Sequence, residues 1–261
     1  INNEYDYLYD FFINEIIKEL DEPLRNLSFA EIGSNSGMTL LKLCEKGAKE
    51  CYGYDWTDYG KLYSWYKNLL NVNIKFRQCG WDNLYHRILK KNEYSLNNNN
   101  IFEEMFYRRD KNLKTYDIPE VDVMINTVFT NHQFDPLQFI SYCCDRSKKM
   151  VFFWVLVDTD NPDNCSLSFP ESSPHEKIIP SEDRDFPLNF NNHVRFTEKL
   201  FCNTLFQCGF GEVKKITPEV SKDFYNFGIG SWNNKITNGG WRFFIGKRTS
   251  DIKSAFYNNK I

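Results

Sequence analysis

A glycine loop set between an apolar strand pattern and an amphipathic helix pattern constrains this chain more than any other feature. The run Leu27-Ser28-Phe29-Ala30-Glu31-Ile32 reads as a short strand, and Gly33-Ser34-Asn35-Ser36-Gly37 follows it directly. Met38–Lys46 then carries apolar residues at helical spacing, with Gly47 placed to end the helix. Glycines at such a junction let the backbone turn tightly and bring a ligand close to main-chain N–H groups. A second strand, Cys51–Tyr54, ends at Asp55. That acid lies about 20 residues past the loop, where a carboxylate meets ribose hydroxyls in dinucleotide-type folds. Alone, the loop is compatible with a plain strand-to-helix turn and Asp55 with a solvated strand-end charge. In series they point to a ribose-bearing cofactor.

The remaining chain keeps alternating. Tyr59–Leu70 reads as a helix, Asn73–Gln78 as a third strand, Val121–Asn126 as a fourth, and Met150–Val157 as a strongly apolar fifth, the best candidate for the sheet centre. Asp135-Pro136 opens a helix over Pro136–Cys144, and a further helix covers Thr197–Gly209. Glu212–Ile216 and Trp241–Lys247 complete the strands, and an N-terminal helix covers Glu4–Leu20. Strands alternating with helices predict an α/β fold, a mostly parallel, doubly wound sheet with helices on both faces. The chain reads as a single domain over 1–261. Its cofactor half covers 27–82, with loop insertions at about 83–119 and 158–193.

Composition narrows the function classes. With 261 residues, 41% of them hydrophobic, there is enough chain for one full core. A net charge of -3 gives no global basic excess and makes a nucleic-acid partner unlikely. The eight cysteines form no CxxC and no Cys/His spacing that suits zinc, so the expectation is free buried thiols in a reducing cytoplasm and no metal. Leu8–Leu20 is amphipathic rather than continuously apolar, which predicts neither a signal peptide nor a membrane span. Beginning at Ile1 rather than Met, the chain reads as trimmed or as a piece of a larger protein.

The runs AEIGSNSG and ECYGYDW resemble the first two cofactor motifs of the class I S-adenosylmethionine-dependent methyltransferases. The resemblance covers roughly Leu27–Lys247, with clear motifs in its first third. It implies a Rossmann-like seven-stranded sheet whose last strand is antiparallel, and S-adenosyl-L-methionine as cofactor. It further implies that Glu31, Gly33, Ser34, Asn35 and Gly37 surround the methionine end, that Asp55 binds the ribose diol, and that Trp56 lies beside the adenine. Asp82, after the third strand, is the counterpart of the residue that reaches the adenine amino group. Asn35 departs from the pattern, because many members carry a third glycine there. The spacing Gly-x-Gly-x-x-Gly of nicotinamide enzymes does not fit.

After the fourth strand, Asn126-Thr127-Val128-Phe129-Thr130-Asn131-His132-Gln133-Phe134-Asp135-Pro136 falls at the carboxyl edge of the sheet, where doubly wound folds place their active sites. It resembles the His-containing turn of small-molecule methyltransferases and of carboxymethyl-transferring tRNA-uridine enzymes. His132 is the candidate general base, since an acceptor oxygen must lose a proton and imidazole titrates near neutrality. A cofactor or substrate contact and a structural cap are its other readings. Asn126 is assigned to the cofactor, and Phe129, His175 and His193 to the acceptor. The resulting expectation is methyl transfer to a small-molecule or saccharide acceptor, at oxygen. An RNA-modifying enzyme and a non-catalytic binding module are the alternatives.

Overall fold

The computed structural model describes residues 3–55, 57–78, 118–127, 129–132, 136–158, 164–168, 195–216 and 241–251. An N-terminal helix, α1 (Asn3–Lys18), leads through a 3-10 turn at Leu24–Asn26 to β1 (Ser28–Ile32). Next come α2 (Met38–Glu45), β2 (Glu50–Asp55), α3 (Gly60–Leu70) and β3 (Ile74–Gln78). The second half holds β4 (Val121–Thr127), a 3-10 turn at Phe129–His132, α4 (Pro136–Asp145) and β5 (Ser147–Asp158). It ends with β6 (Leu167–Ser168), β7 (Arg195–Thr197), α5 (Glu198–Gln207), β8 (Glu212–Ile216) and β9 (Trp241–Lys247).

The seven main strands lie in the order β3-β2-β1-β4-β5-β9-β8. β3, β2, β1, β4 and β5 run parallel, and β9 is antiparallel to both β5 and β8. The expected mostly parallel Rossmann-like sheet with an antiparallel last strand is therefore present. Two details differ from the sequence reading. β4, not β5, is the middle strand of the seven. β5 carries the longer apolar run because it buries both faces over Met150–Val157. In addition, the short strands β6 and β7 extend the sheet past the end of β9, with Phe196 of β7 beside Val157 of β5.

Alternation along β5 builds two cores. Met150, Phe152, Trp154 and Leu156 face α1, α2 and α3, while Val151, Phe153, Val155 and Val157 face α4 and α5. α1 is held to the first face by Phe12, whose fully buried ring stacks on Phe152 at 5.1 Å. Burying such a side chain contributes about 2–3 kcal/mol. α2 has room beside β1 because its inward positions Leu40, Leu43 and Cys44 are apolar and its outward Lys42 reaches Asp10 of α1 at 2.9 Å. This arrangement leaves the carboxyl ends of β1, β2 and β4 side by side, with the glycine loop across them.

Candidate cofactor and acceptor site

The loop between β1 and α2 is built on three left-handed residues. Gly33 and Gly37 have φ of 77° and Asn35 has φ of 49°. Asparagine is among the few L-residues that adopt this region readily, which explains how Asn35 replaces a glycine without breaking the loop. Gly33 also has no space for a side chain, since an added Cβ would lie 2.7 Å from the Phe129 ring. At Gly37 and Gly53 an added Cβ would collide with the Tyr63 hydroxyl. Tyr63 of α3 thus fills the space behind the loop, and its hydroxyl donates to Ser34 Oγ at 2.9 Å.

Most of the loop's main-chain donors serve the protein itself. The Gly33 and Ser34 amides donate to the Tyr54 carbonyl at 2.8 and 3.0 Å. The Gly37 amide donates to the Ser34 carbonyl at 2.8 Å. The Asn35 amide donates to Asp55 Oδ2 at 2.8 Å, and the Thr57 amide to Asp55 Oδ1 at 2.9 Å. Asp55 is therefore a clamp on the loop as well as the acid at the end of β2.

Glu31 is the second acid of the site. It is 1% exposed, and its Oε1 accepts from Thr127 Oγ1 at 2.8 Å and from Thr39 Oγ1 at 3.3 Å. Its Oε2 is buried with no hydrogen-bond partner among the described residues. Burial, opposed by the two threonine hydroxyls and reinforced by the nearby Asp55 carboxylate, pushes the Glu31 carboxyl up to about 8. Thr39, Thr127 and Tyr63 were not singled out from sequence. A threonine at a helix start or a strand end carries no distinguishing local pattern, and Tyr63 reads as one of several apolar positions of α3.

Beyond β4, two asparagines fix the turn that carries the acceptor-side residues. Asn126 is fully buried; its Nδ2 donates to the Ile32 carbonyl at 3.0 Å, and its Oδ1 accepts from the amide of Thr130 at 3.0 Å and from the Thr130 hydroxyl. Asn131, also fully buried, donates from Nδ2 to the Leu156 carbonyl at 3.0 Å and accepts from the Leu156 amide at 2.8 Å. The turn is thereby fastened to β1 on one side and to β5 on the other. Asn126, assigned to the cofactor from sequence, has these bonds within the fold, and Asn131 performs a positioning task that sequence reasoning missed. Phe129 packs against Gly33, between the loop and Phe139 of α4 at 5.4 Å. His132 closes the turn at the carboxyl edge. Trp56, Asp82, His175 and His193 lie outside the described residues.

A cleft of about 420 Å³ opens at the opposite, amino edge, lined by Glu19, Glu22, Lys149, Lys247 and Thr249 among others. Its carboxylates and lysines neutralise one another, as in the pairs Lys149–Glu22 and Lys247–Glu19. Among the described residues no glycine loop or unpartnered buried acid faces it, so it is not the site built by the motifs.

No protein-family model and no curated protein sequence matches the chain. Solved structures do match in fold. The magnesium protoporphyrin IX methyltransferase of Synechocystis PCC 6803, solved with bound S-adenosylhomocysteine, is 13% identical with a TM-score of 0.53, over 94% of this chain and 84% of that one. The N-terminal domain of EvdMO1, solved in the presence of S-adenosylhomocysteine and D-fucose, is 11% identical with a TM-score of 0.51, over 95% and 84%. An O-methyltransferase family protein of Burkholderia thailandensis is 9% identical with a TM-score of 0.50, over 95% of this chain and 60% of that one. The fold is that of the class I S-adenosylmethionine-dependent methyltransferases.

Proposed function

We propose that the protein is an S-adenosylmethionine-dependent methyltransferase of the cytoplasm, a single domain over 1–261, that methylates a small-molecule or saccharide acceptor at oxygen. The observation that carries this reading is the pairing of two buried acids, Glu31 and Asp55, across a left-handed glycine loop at the carboxyl ends of β1 and β2. The residues present fit the cofactor. Asp55 stands at the carboxyl end of β2 with its carboxylate against the loop, and Glu31 Oε2 is a buried acceptor that meets no donor among the described residues. The loop suits a ligand without pyrophosphate, because the amides of Gly33, Ser34, Asn35 and Gly37 are already engaged.

When bound, the cofactor supplies an electrophilic methyl group on a sulfonium. The chain's own part is positioning. Gly33, Ser34, Asn35 and Gly37 shape the methionine end, with Trp56 and Asp82 assigned to the adenine. The Asn126–Asn131 clamp holds Phe129 and His132 at the acceptor side, with His132 as the base that takes the acceptor's proton. Holding reactants in line can supply a large share of such a rate enhancement without an obligatory catalytic group. His175 and His193 are assigned to the acceptor pocket. Buried thiols at Cys44, Cys51, Cys143 and Cys144, outside any disulfide, fit a reducing compartment. The net charge of -3 and the D-fucose present with the EvdMO1 domain favour a small or sugar acceptor over RNA.

The test is incubation with methyl-labelled S-adenosylmethionine and separate pools of hydroxylated small molecules, sugars and RNA. Label in a small hydroxylated compound, lost in Asp55→Ala, is the expected result. Label in RNA alone overturns the acceptor assignment, and label in none of the pools overturns the catalytic one.

A further inference from the structure

We propose that Glu31 is a proton-coupled element of the cofactor site: its carboxyl holds a proton in the cofactor-free protein and releases it to solvent when the cofactor's α-ammonium reaches Oε2. This rests on the methyltransferase reading and goes beyond it, because a shared cofactor motif says nothing about the charge its acid carries.

The geometry makes the case. Oε1 is occupied by two hydroxyl donors, Thr127 of β4 and Thr39 of α2. Oε2 is shielded from solvent and has no donor among the described residues. Among the described residues no lysine or arginine forms an ion pair with Glu31. An ionised oxygen left buried without a donor is costly, whereas a protonated carboxyl at the same place is tolerated. The titratable groups acting on it are Asp55 and Cys51 of β2 and Tyr63 of α3. Burial pushes the Cys51 thiol and the Tyr63 hydroxyl upward, so both stay neutral. Asp55 contributes negative charge, which opposes ionisation of Glu31. Among the described residues the titratable groups around Glu31 are thus neutral or negative, and the cofactor's α-ammonium would supply the cation. A carboxyl titrating near 8 is mostly protonated at neutral pH.

Linkage sets the sign. Ligand binding that ionises Glu31 releases one proton below that value, so affinity rises as pH rises toward 8 and levels off above it. The experiment is calorimetric titration of S-adenosylhomocysteine at pH 7 in two buffers of different ionisation enthalpy, with wild type and Glu31→Gln. Wild type is expected to release about one proton per site, and its affinity to rise about tenfold between pH 6 and pH 7. Glu31→Gln is expected to bind with no proton release and a flat pH profile. Thr127→Val, which keeps the acid but removes one donor to Oε1, is expected to shift the break in the wild-type profile to higher pH. Equal heats in both buffers for wild type overturn the proposal while leaving the cofactor reading intact. Proton release that persists in Glu31→Gln also overturns it, by placing the proton elsewhere. Absence of binding by folded wild type overturns both.

Discussion

The two edges of the sheet use the same acidic side chains in opposite ways. At the amino edge, Asp122 accepts from the Ser28 amide at 2.9 Å and the Ser28 hydroxyl at 2.7 Å, with Lys149 at 3.7 Å. Burial pushes its carboxyl up, but those donors outweigh it and hold Asp122 below the usual carboxylate range. Glu19 is held low as well, first by the hydrogen bond from Lys214 and despite partial burial. At the carboxyl edge, Glu31 is buried more deeply, has only threonine donors among the described residues, and is pushed up to about 8. The amino-edge acids serve the fold, because their partners are already in the chain. Glu31 is a poor contributor to the fold, and a buried acid of this kind beside a glycine loop is what the proposed cofactor role requires.

The largest test of that contrast is stability against pH. Below about 4.5 Glu31 is protonated in both folded and unfolded chains. Between 4.5 and 8 the unfolded chain releases the proton while the folded one keeps it, so stability falls as pH rises. Glu31→Gln removes this loss and is expected to gain about 4 kcal/mol at pH 8 relative to its effect at pH 4, read by urea denaturation. The amino-edge acids act with the reverse sign: Asp122, being held low, contributes above its ordinary value near 3.8 and loses that contribution as the pH falls. An equal pH slope in wild type and Glu31→Gln would erase the distinction between the edges.

Asn131→Ala comes next. It strands the buried Leu156 amide and carbonyl and is expected to cost about 3 kcal/mol of stability in the same denaturation assay. Methyl transfer is expected to fall much more than S-adenosylhomocysteine affinity, because the turn and not the loop is loosened. Asp55→Ala has the converse profile, weakening S-adenosylhomocysteine binding at least tenfold, about 1.4 kcal/mol, in a titration. The smallest effect belongs to the amino edge. Lys149→Ala removes an exposed pair with Glu22 and a longer one with Asp122, and is expected to change stability by less than about 1 kcal/mol and labelled-methyl transfer not at all.

Much of the fold was legible because its signals are local. The period of two in Ile74–Gln78, the helical spacing of Met38–Glu45 and the apolar run of β5 each sit inside one element. β5 begins three residues before its apolar core because Lys148 and Lys149, polar in sequence, reach solvent at the amino edge. β6 and β7 were not legible, since strands of two and three residues leave no period to detect. In the site, Gly33, Gly37 and Asp55 were found from spacing. The Tyr63–Ser34 bond, the Asn131–Leu156 pairing and the bare Oε2 of Glu31 were not. Each joins residues 25 or more apart or depends on what the fold brings over a side chain.

The central claim, that the loop and its two acids form an S-adenosylmethionine site, is tested most directly by calorimetric titration of S-adenosylmethionine and S-adenosylhomocysteine into the purified protein. The account predicts one molecule bound per chain at micromolar affinity, about -8 kcal/mol. A well-folded protein that binds neither compound would contradict it.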